Sequence, residues 1–332
     1  MKFSTRQFVE EIKKGNRRYM AKAITLLEST LSEHFEQGRQ ILSELMPDTG
    51  NSIRIGITGV PGVGKSTFIE ALGLSLIHSG HQVAVLPVDP SSPISGGSIM
   101  GDKTRMTHLS SHPKAFIRPS PSGGKLGGVA RKTKEIIMIC ESAKYDVIFV
   151  ETVGVGQSET LVASMVDCFL VLMLPNAGDE LQGIKKGILE IADLIVINKA
   201  DGENLKSAEN AAQQYSRALE FHRPLKTSWT PKILTCSALE NRGLEELWKI
   251  IIEYKEKTQA SGEWDRQRHT QNNSWMKELI EEELLNRFRQ DPNVQELILS
   301  LEQSVREGIQ DPISATRNLL DLWFASMKEA PH

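Results

Sequence analysis

The chain has 332 residues, 39% of them apolar and 24% charged, with a formal net charge of −3. That balance suits a globular protein with one large core and room for helical additions, and it excludes a disordered or fibrous chain. The slight acidity leaves no electrostatic footprint for nucleic acid, whose binding concentrates Lys and Arg on one face.

The opening residues, Met1-Lys2-Phe3-Ser4-Thr5-Arg6, lead into charged helical sequence with no apolar h-region, so no secretory signal is visible and a cytoplasmic location is expected. Tyr19, Met20, Ala23, Ile24, Leu27 and Leu31 recur at three- and four-residue steps, which predicts a helical N-terminal extension over residues 1–50. Pro47, Asp48, Thr49 and Gly50 punctuate its end.

From Ser52 onward, short β-branched runs alternate with helical stretches. The runs fall at residues 53–57, 82–88, 115–117, 146–150, 169–174, 194–197 and 232–235. Nearly continuous apolar strands separated by helices predict a parallel sheet covered on both faces. The longest strongly apolar run, residues 168–174, is far too short to span a bilayer, so no membrane association is expected.

The first run leads into Gly59-Val60-Pro61-Gly62-Val63-Gly64-Lys65-Ser66-Thr67, which satisfies GxxxxGK[ST] between a strand and a helix. Its glycines let backbone N–H groups converge on phosphates at a helix N-terminus. Lys65 is expected at the β- and γ-phosphates and Ser66 on Mg²⁺. The expected class is therefore α/β: a P-loop NTPase core over residues 51–258, with a mostly parallel sheet between helices and a helical extension at each terminus.

Asp89 ends the second run and opens a loop rich in Pro, Ser and Gly that reaches Asp102. Both carboxylates are placed to hold Mg²⁺, directly or through water, although Asp is also common in turns. The fourth run ends Glu151-Thr152-Val153-Gly154, a Walker B and switch II arrangement. Glu151 would order the metal or its waters, and the Gly154 N–H would sense the γ-phosphate. Val155 stands where Ras-like enzymes carry a water-orienting Gln. Gln157, two residues on, could take that role or be a polar residue at a helix start, and the carboxylates from Asp89 to Asp102 are the other candidates. Slow intrinsic turnover, accelerated by a partner, is the expectation.

Residues 175–187 leave the fifth strand with Pro, Gly and charges before turning helical. They read either as an ordinary connection or as a third nucleotide-sensing element in which Lys185 or Asp179 exchanges partners. Asn198-Lys199-Ala200-Asp201 fits NKxD. Asp201 can accept hydrogen bonds from the guanine N1–H and 2-amino groups, which adenine lacks, so GTP is expected over ATP. Cys236-Ser237-Ala238-Leu239 fits the loop whose backbone N–H meets the guanine carbonyl.

Residues 259–332 contain no comparable strand. Trp275, Met276, Leu279, Ile280, Leu284 and Phe288 form an apolar helical stripe, of the kind that makes a core or a subunit interface. Cys140, Cys168 and Cys236 are widely spaced in apolar contexts and are expected to be buried thiols. His108 and His112 share helical spacing but lack a third metal ligand, and the glycine-rich residues 122–128 read as a helix lead-in more than an anion nest.

The phosphate loop, the segment Val88-Asp89-Pro90-Ser91-Ser92-Pro93 through Gly101-Asp102, the segment Glu151-Thr152-Val153-Gly154-Val155-Gly156-Gln157-Ser158-Glu159 and residues 178–187 together resemble the MeaB/ArgK family. These are GTPases associated with methylmalonyl-CoA mutase, in a branch that includes metal-delivery proteins. The resemblance covers essentially the whole chain, with no departure inside the motifs.

By position it implies Lys65 and Ser66 at phosphate and Mg²⁺, and Asp89, Asp102 and Glu151 around the metal. It also implies Asn198, Lys199 and Asp201 at guanine, and a switch III loop carrying Lys185. The implied protein is a homodimer held largely by the C-terminal extension, a chaperone that gates adenosylcobalamin loading and protects the mutase. The alternatives are an ATPase or kinase serving basic amino-acid transport, which NKxD opposes, and a metal-delivery GTPase, which the lack of His-rich or Cys-pair ligands disfavours.

Overall fold

The computed structural model describes residues 4–29, 31–88, 106–119, 126–152, 158–175, 186–220, 226 and 228–329. Three amphipathic helices come first: α1 (Thr5–Lys13), α2 (Arg17–Glu28) and α3 (Ser32–Leu45). Ser4 caps α1 by accepting from the Gln7 N–H, and Asn16 caps α2 by accepting from the Arg18 N–H.

All seven expected strands are present. They are β1 (Ile53–Gly59), β2 (Val83–Val88), β3 (Ala115–Ile117), β4 (Val147–Thr152), β5 (Cys168–Met173), β6 (Leu194–Ile197) and β7 (Lys232–Thr235). They pair in parallel in the order β3-β2-β4-β1-β5-β6-β7. β2, β4 and β5 are buried along their whole length, which is why their sequences read as unbroken apolar runs. The intervening helices are α4 (Lys65–His78), α5 (Thr107–Ser111), α6 (Leu126–Ser142), α7 (Ser158–Ala163), α8 (Lys186–Ile191), α9 (Leu205–Glu220) and α10 (Leu244–Ala260).

The sheet separates two hydrophobic layers. Ile53, Ile55 and Ile57 of β1 pack with Phe68 and Leu72 of α4 and Leu247 and Ile251 of α10. On the opposite face, Ile148 and Val150 of β4 pack with Ile136 and Ile139 of α6. The N-terminal helices belong to that second layer: Met20, Ile24, Ile41 and Leu45 share its core, and Ser142 Oγ donates to the Leu45 carbonyl at 3.2 Å. Cys140, Cys168 and Cys236 are buried free thiols.

Two compact units emerge, Met1–Gln271 and Asn272–His332. The first extends beyond the sequence boundary at residue 258 because the start of α11 (Glu263–Gln290) is docked on the sheet's amino edge. Arg268 donates to both Asp167 carboxylate oxygens at 2.7 Å, to the Ser52 carbonyl at 2.7 Å and to the Gly50 carbonyl. Gln267 and Gln271 donate to the Val166 carbonyl at 2.8 and 2.7 Å.

The second unit contains the rest of α11 with α12 (Pro292–Arg306) and α13 (Pro312–Glu329). Its small core joins Val294, Leu319 and Trp323, with Phe288 edge-on to Trp323 at 5.1 Å between ring centroids. Among the described residues no helix is long and apolar enough to cross a membrane.

Candidate functional site

The motifs meet at the carboxyl edge of the sheet, where parallel α/β sheets bind their ligands. β1 lies between β4 and β5, with Ile57 opposite Glu151 and Gly59 opposite Leu172. Strand pairing alone therefore sets the acidic end of β4 beside the phosphate loop. At Gly59 there is no room for a side chain: an added Cβ would lie 2.5 Å from the Leu172 carbonyl oxygen.

The loop runs through Val60, Pro61, Gly62, Val63 and Gly64 before α4 begins at Lys65. Val63 is buried in the β1–α4 layer and pins the loop, while Gly64 has φ +89, a left-handed conformation that favours glycine. Lys65 Nζ lies back along the loop, donating to the Gly59 carbonyl at 2.8 Å and the Val60 carbonyl at 3.5 Å. Burial depresses its pKa, and the negative charges of Glu151 and Glu159 oppose that effect. Ser66 and Thr67 form the first turn of α4.

Ser66 Oγ faces Glu151 Oε1 at 3.5 Å, and Glu151 is only 7% exposed. A hydroxyl and a carboxylate converging on one space form an oxygen donor set suited to a hard divalent cation such as Mg²⁺. Beneath them the Thr58 and Thr152 hydroxyls bond at 2.8 Å and tie β1 to β4. Asp89, Asp102, Gly154, Gln157 and Lys185 lie outside the described residues, as does most of the 178–187 segment.

The NKxD segment leaves β6 and reaches back to the phosphate loop through Asn198, which is buried. Its Nδ2 donates to the Val63 carbonyl at 2.9 Å. Its Oδ1 accepts from the Ala238 N–H at 3.3 Å and from the Cys236 thiol at 3.5 Å. Burial pushes the Cys236 pKa up to about 12, so the thiol keeps its proton and remains a donor. Lys199 adopts φ +60, with its Cε 3.8 Å from the position a Gly64 Cβ would take.

Asp201 Oδ2 accepts from Ser237 Oγ at 2.6 Å. A backbone bridge between Ser237 and Arg242 closes that loop, and the Arg242 guanidinium donates to the Ala200 carbonyl. Leu239 is 79% exposed at the loop's tip. Within the loop expected to offer a backbone N–H to the guanine carbonyl, the Ala238 N–H is engaged by Asn198 through a long bond.

Two links were not legible in the motifs: Asn198 as the tie among three loops, and Glu159 as a buried carboxylate near the lysine. NKxD marks Asn198 as important but not what it touches. Burial of Glu159 comes only from the packing of α7.

Residues 20–293 match the family described as methylmalonyl-CoA mutase-associated GTPase MeaB. A probable GTPase of Mycobacterium tuberculosis is 51% identical over 311 residues, 94% of this chain and 93% of that protein. The mitochondrial methylmalonic aciduria type A homolog of Mus musculus is 45% identical over 317 residues, 92% of this chain and 76% of that protein. The crystal structure of a LAO/AO transport system kinase aligns with a TM-score of 0.73 at 40% identity, covering 96% of this chain and 97% of that one. Similarity of this depth across a fold that gathers the phosphate and guanine motifs at one edge makes the chain a GTPase of the MeaB family.

Proposed function

We propose that this GTPase is a chaperone of methylmalonyl-CoA mutase or a related adenosylcobalamin-dependent mutase, working in the cytoplasm to gate cofactor loading and protect the enzyme. The family match over residues 20–293 and the likeness to the mouse protein support the client. For the switch, the carrying observation is Asn198, whose amide joins the guanine-reading loops to the phosphate loop.

Asp201 reads the guanine edge, its carboxylate held by Ser237, while Lys199 covers the base. GTP phosphates take the Lys65 ammonium from the Gly59 and Val60 carbonyls, and backbone N–H groups of residues 60–67 cradle them. Ser66 and Glu151, with Asp89 and Asp102, would hold Mg²⁺, which neutralises charge on the transferring phosphoryl group. The Gly154 N–H senses the γ-phosphate, and Gln157 or Asp89 orients the attacking water. Val155 in the Ras-like glutamine position makes intrinsic turnover slow. Lys185, in a switch III loop, relays nucleotide state to the client.

The likeness to a LAO/AO transport system kinase supports a second reading, nucleotide hydrolysis serving basic amino-acid transport. Turnover measured with and without cobalamin-dependent mutases, together with a pull-down, separates the two. The chaperone reading expects complex formation and a raised GTPase rate with one mutase. No binding and no rate change with any of them would refute it.

A further inference from the structure

α7 starts at the carboxyl edge of the sheet and runs back across β1. Val162 and Val166 pack onto the strand at Gly56, where an added Cβ would come within 2.9 Å of a methyl carbon of each. Glu159 precedes Val162 by three residues and shares its face, one turn nearer the edge where Gly59 opens the phosphate loop. It is 6% exposed, an uncommon condition for a glutamate. Lys65 feels its negative charge together with that of Glu151. The charges of two buried carboxylates thus act on one ammonium at the end of the site that receives phosphate.

We infer that Glu159 sets the charge of the phosphate site so that nucleotide binds well only together with a divalent cation. The inference rests on the reading of residues 59–67 as the GTP phosphate loop. Two carboxylate charges against one lysine charge leave an excess negative charge where a polyphosphate must enter. A bare nucleotide is repelled, whereas one that brings a cation onto Ser66 and Glu151 has that excess cancelled. Glu151 is a candidate ligand of the ion itself. Glu159, from a different element, adds charge and so makes the requirement steeper.

The test measures affinity for fluorescent GDP in excess chelator and again in millimolar Mg²⁺, for wild type and Glu159→Gln. Removing the charge should tighten binding in chelator on the order of tenfold and change it much less in Mg²⁺. Glu159→Asp, which keeps the charge, should retain the wild-type contrast between the two conditions. A merely structural role would weaken binding equally in both.

Unchanged or weaker binding of folded Glu159→Gln in chelator overturns the inference, as does an Asp variant that behaves like Gln. Glu159→Ser is a second neutral variant with the same expectation. Failure of both neutral variants to fold would assign the carboxylate to the fold and overturn it too. Wild-type protein that bound GDP under neither condition would overturn the site reading itself, a result distinct from these.

Discussion

Asn198 does at the residue scale what no motif states. Its amide oxygen takes an N–H and its amide nitrogen gives to a carbonyl, so both ends are oriented by partners. Beside it, Asp201 is held by the Ser237 hydroxyl at 2.6 Å. That contact sharpens one prediction. In Asp201→Asn the amide oxygen would take over the Ser237 bond and turn the NH₂ toward the base. GTP affinity should fall at least about a hundredfold, and xanthosine triphosphate, whose extra carbonyl needs a donor, should bind better than GTP. Competition binding with the two nucleotides checks it, and an unchanged preference for GTP would refute the role given to Asp201. GTP specificity was legible because NKxD is local in sequence. The Ser237 contact was not, because its partner lies 36 residues away.

Among the elements, strand positions were the most legible feature, since buried parallel strands write themselves as apolar runs. Pairing order was not legible. That β4 rather than β2 lies beside β1 follows from crossover connections, yet it is what places Glu151 opposite Ile57.

The amino edge of the sheet depends on an ion pair with no motif at all. Arg54 of β1 donates to both Glu141 oxygens at 2.9 and 3.0 Å, joined by the Ser52 hydroxyl and the Gly50 N–H. Burial works against ionising Glu141, but Arg54 and these hydrogen bonds outweigh it and hold its pKa below the usual 4.5. Glu141→Gln should cost about 3 kcal/mol, the scale for breaking a buried pair. Because the folded pKa is depressed, this contribution is complete above the unfolded value and is lost as pH falls through the folded one. Denaturant titrations should therefore show the gap between variant and wild type at neutral pH and its narrowing in acid. A gap independent of pH would contradict the assignment.

For the whole molecule, the apolar stripe of α11 divides its duties. Phe288 joins the small core of the second unit, whereas Met276, Ile280 and Leu284 are 53%, 51% and 50% exposed. Exposed apolar side chains repeating at helical spacing fit the homodimer through the C-terminal helices that the family resemblance implies. Ile280→Glu with Leu284→Glu should yield a monomer in sedimentation while the isolated subunit still binds GTP. A dimer that survives both charges would place the interface elsewhere.

Sequence by itself determined the chemistry that is local. The phosphate loop, the NKxD tetrapeptide, the acidic end of β4 and the strand runs are each contiguous, and their residue types set the expectation of what they bind. Tertiary structure decided what depends on neighbours distant in the chain: the strand order, the N-terminal helices as part of the sheet's covering layer, and the docking of α11 through Arg268. It also decided the burial of Glu159 on α7. Burial and charge coupling belong to the space between elements, and only folding brings those elements together.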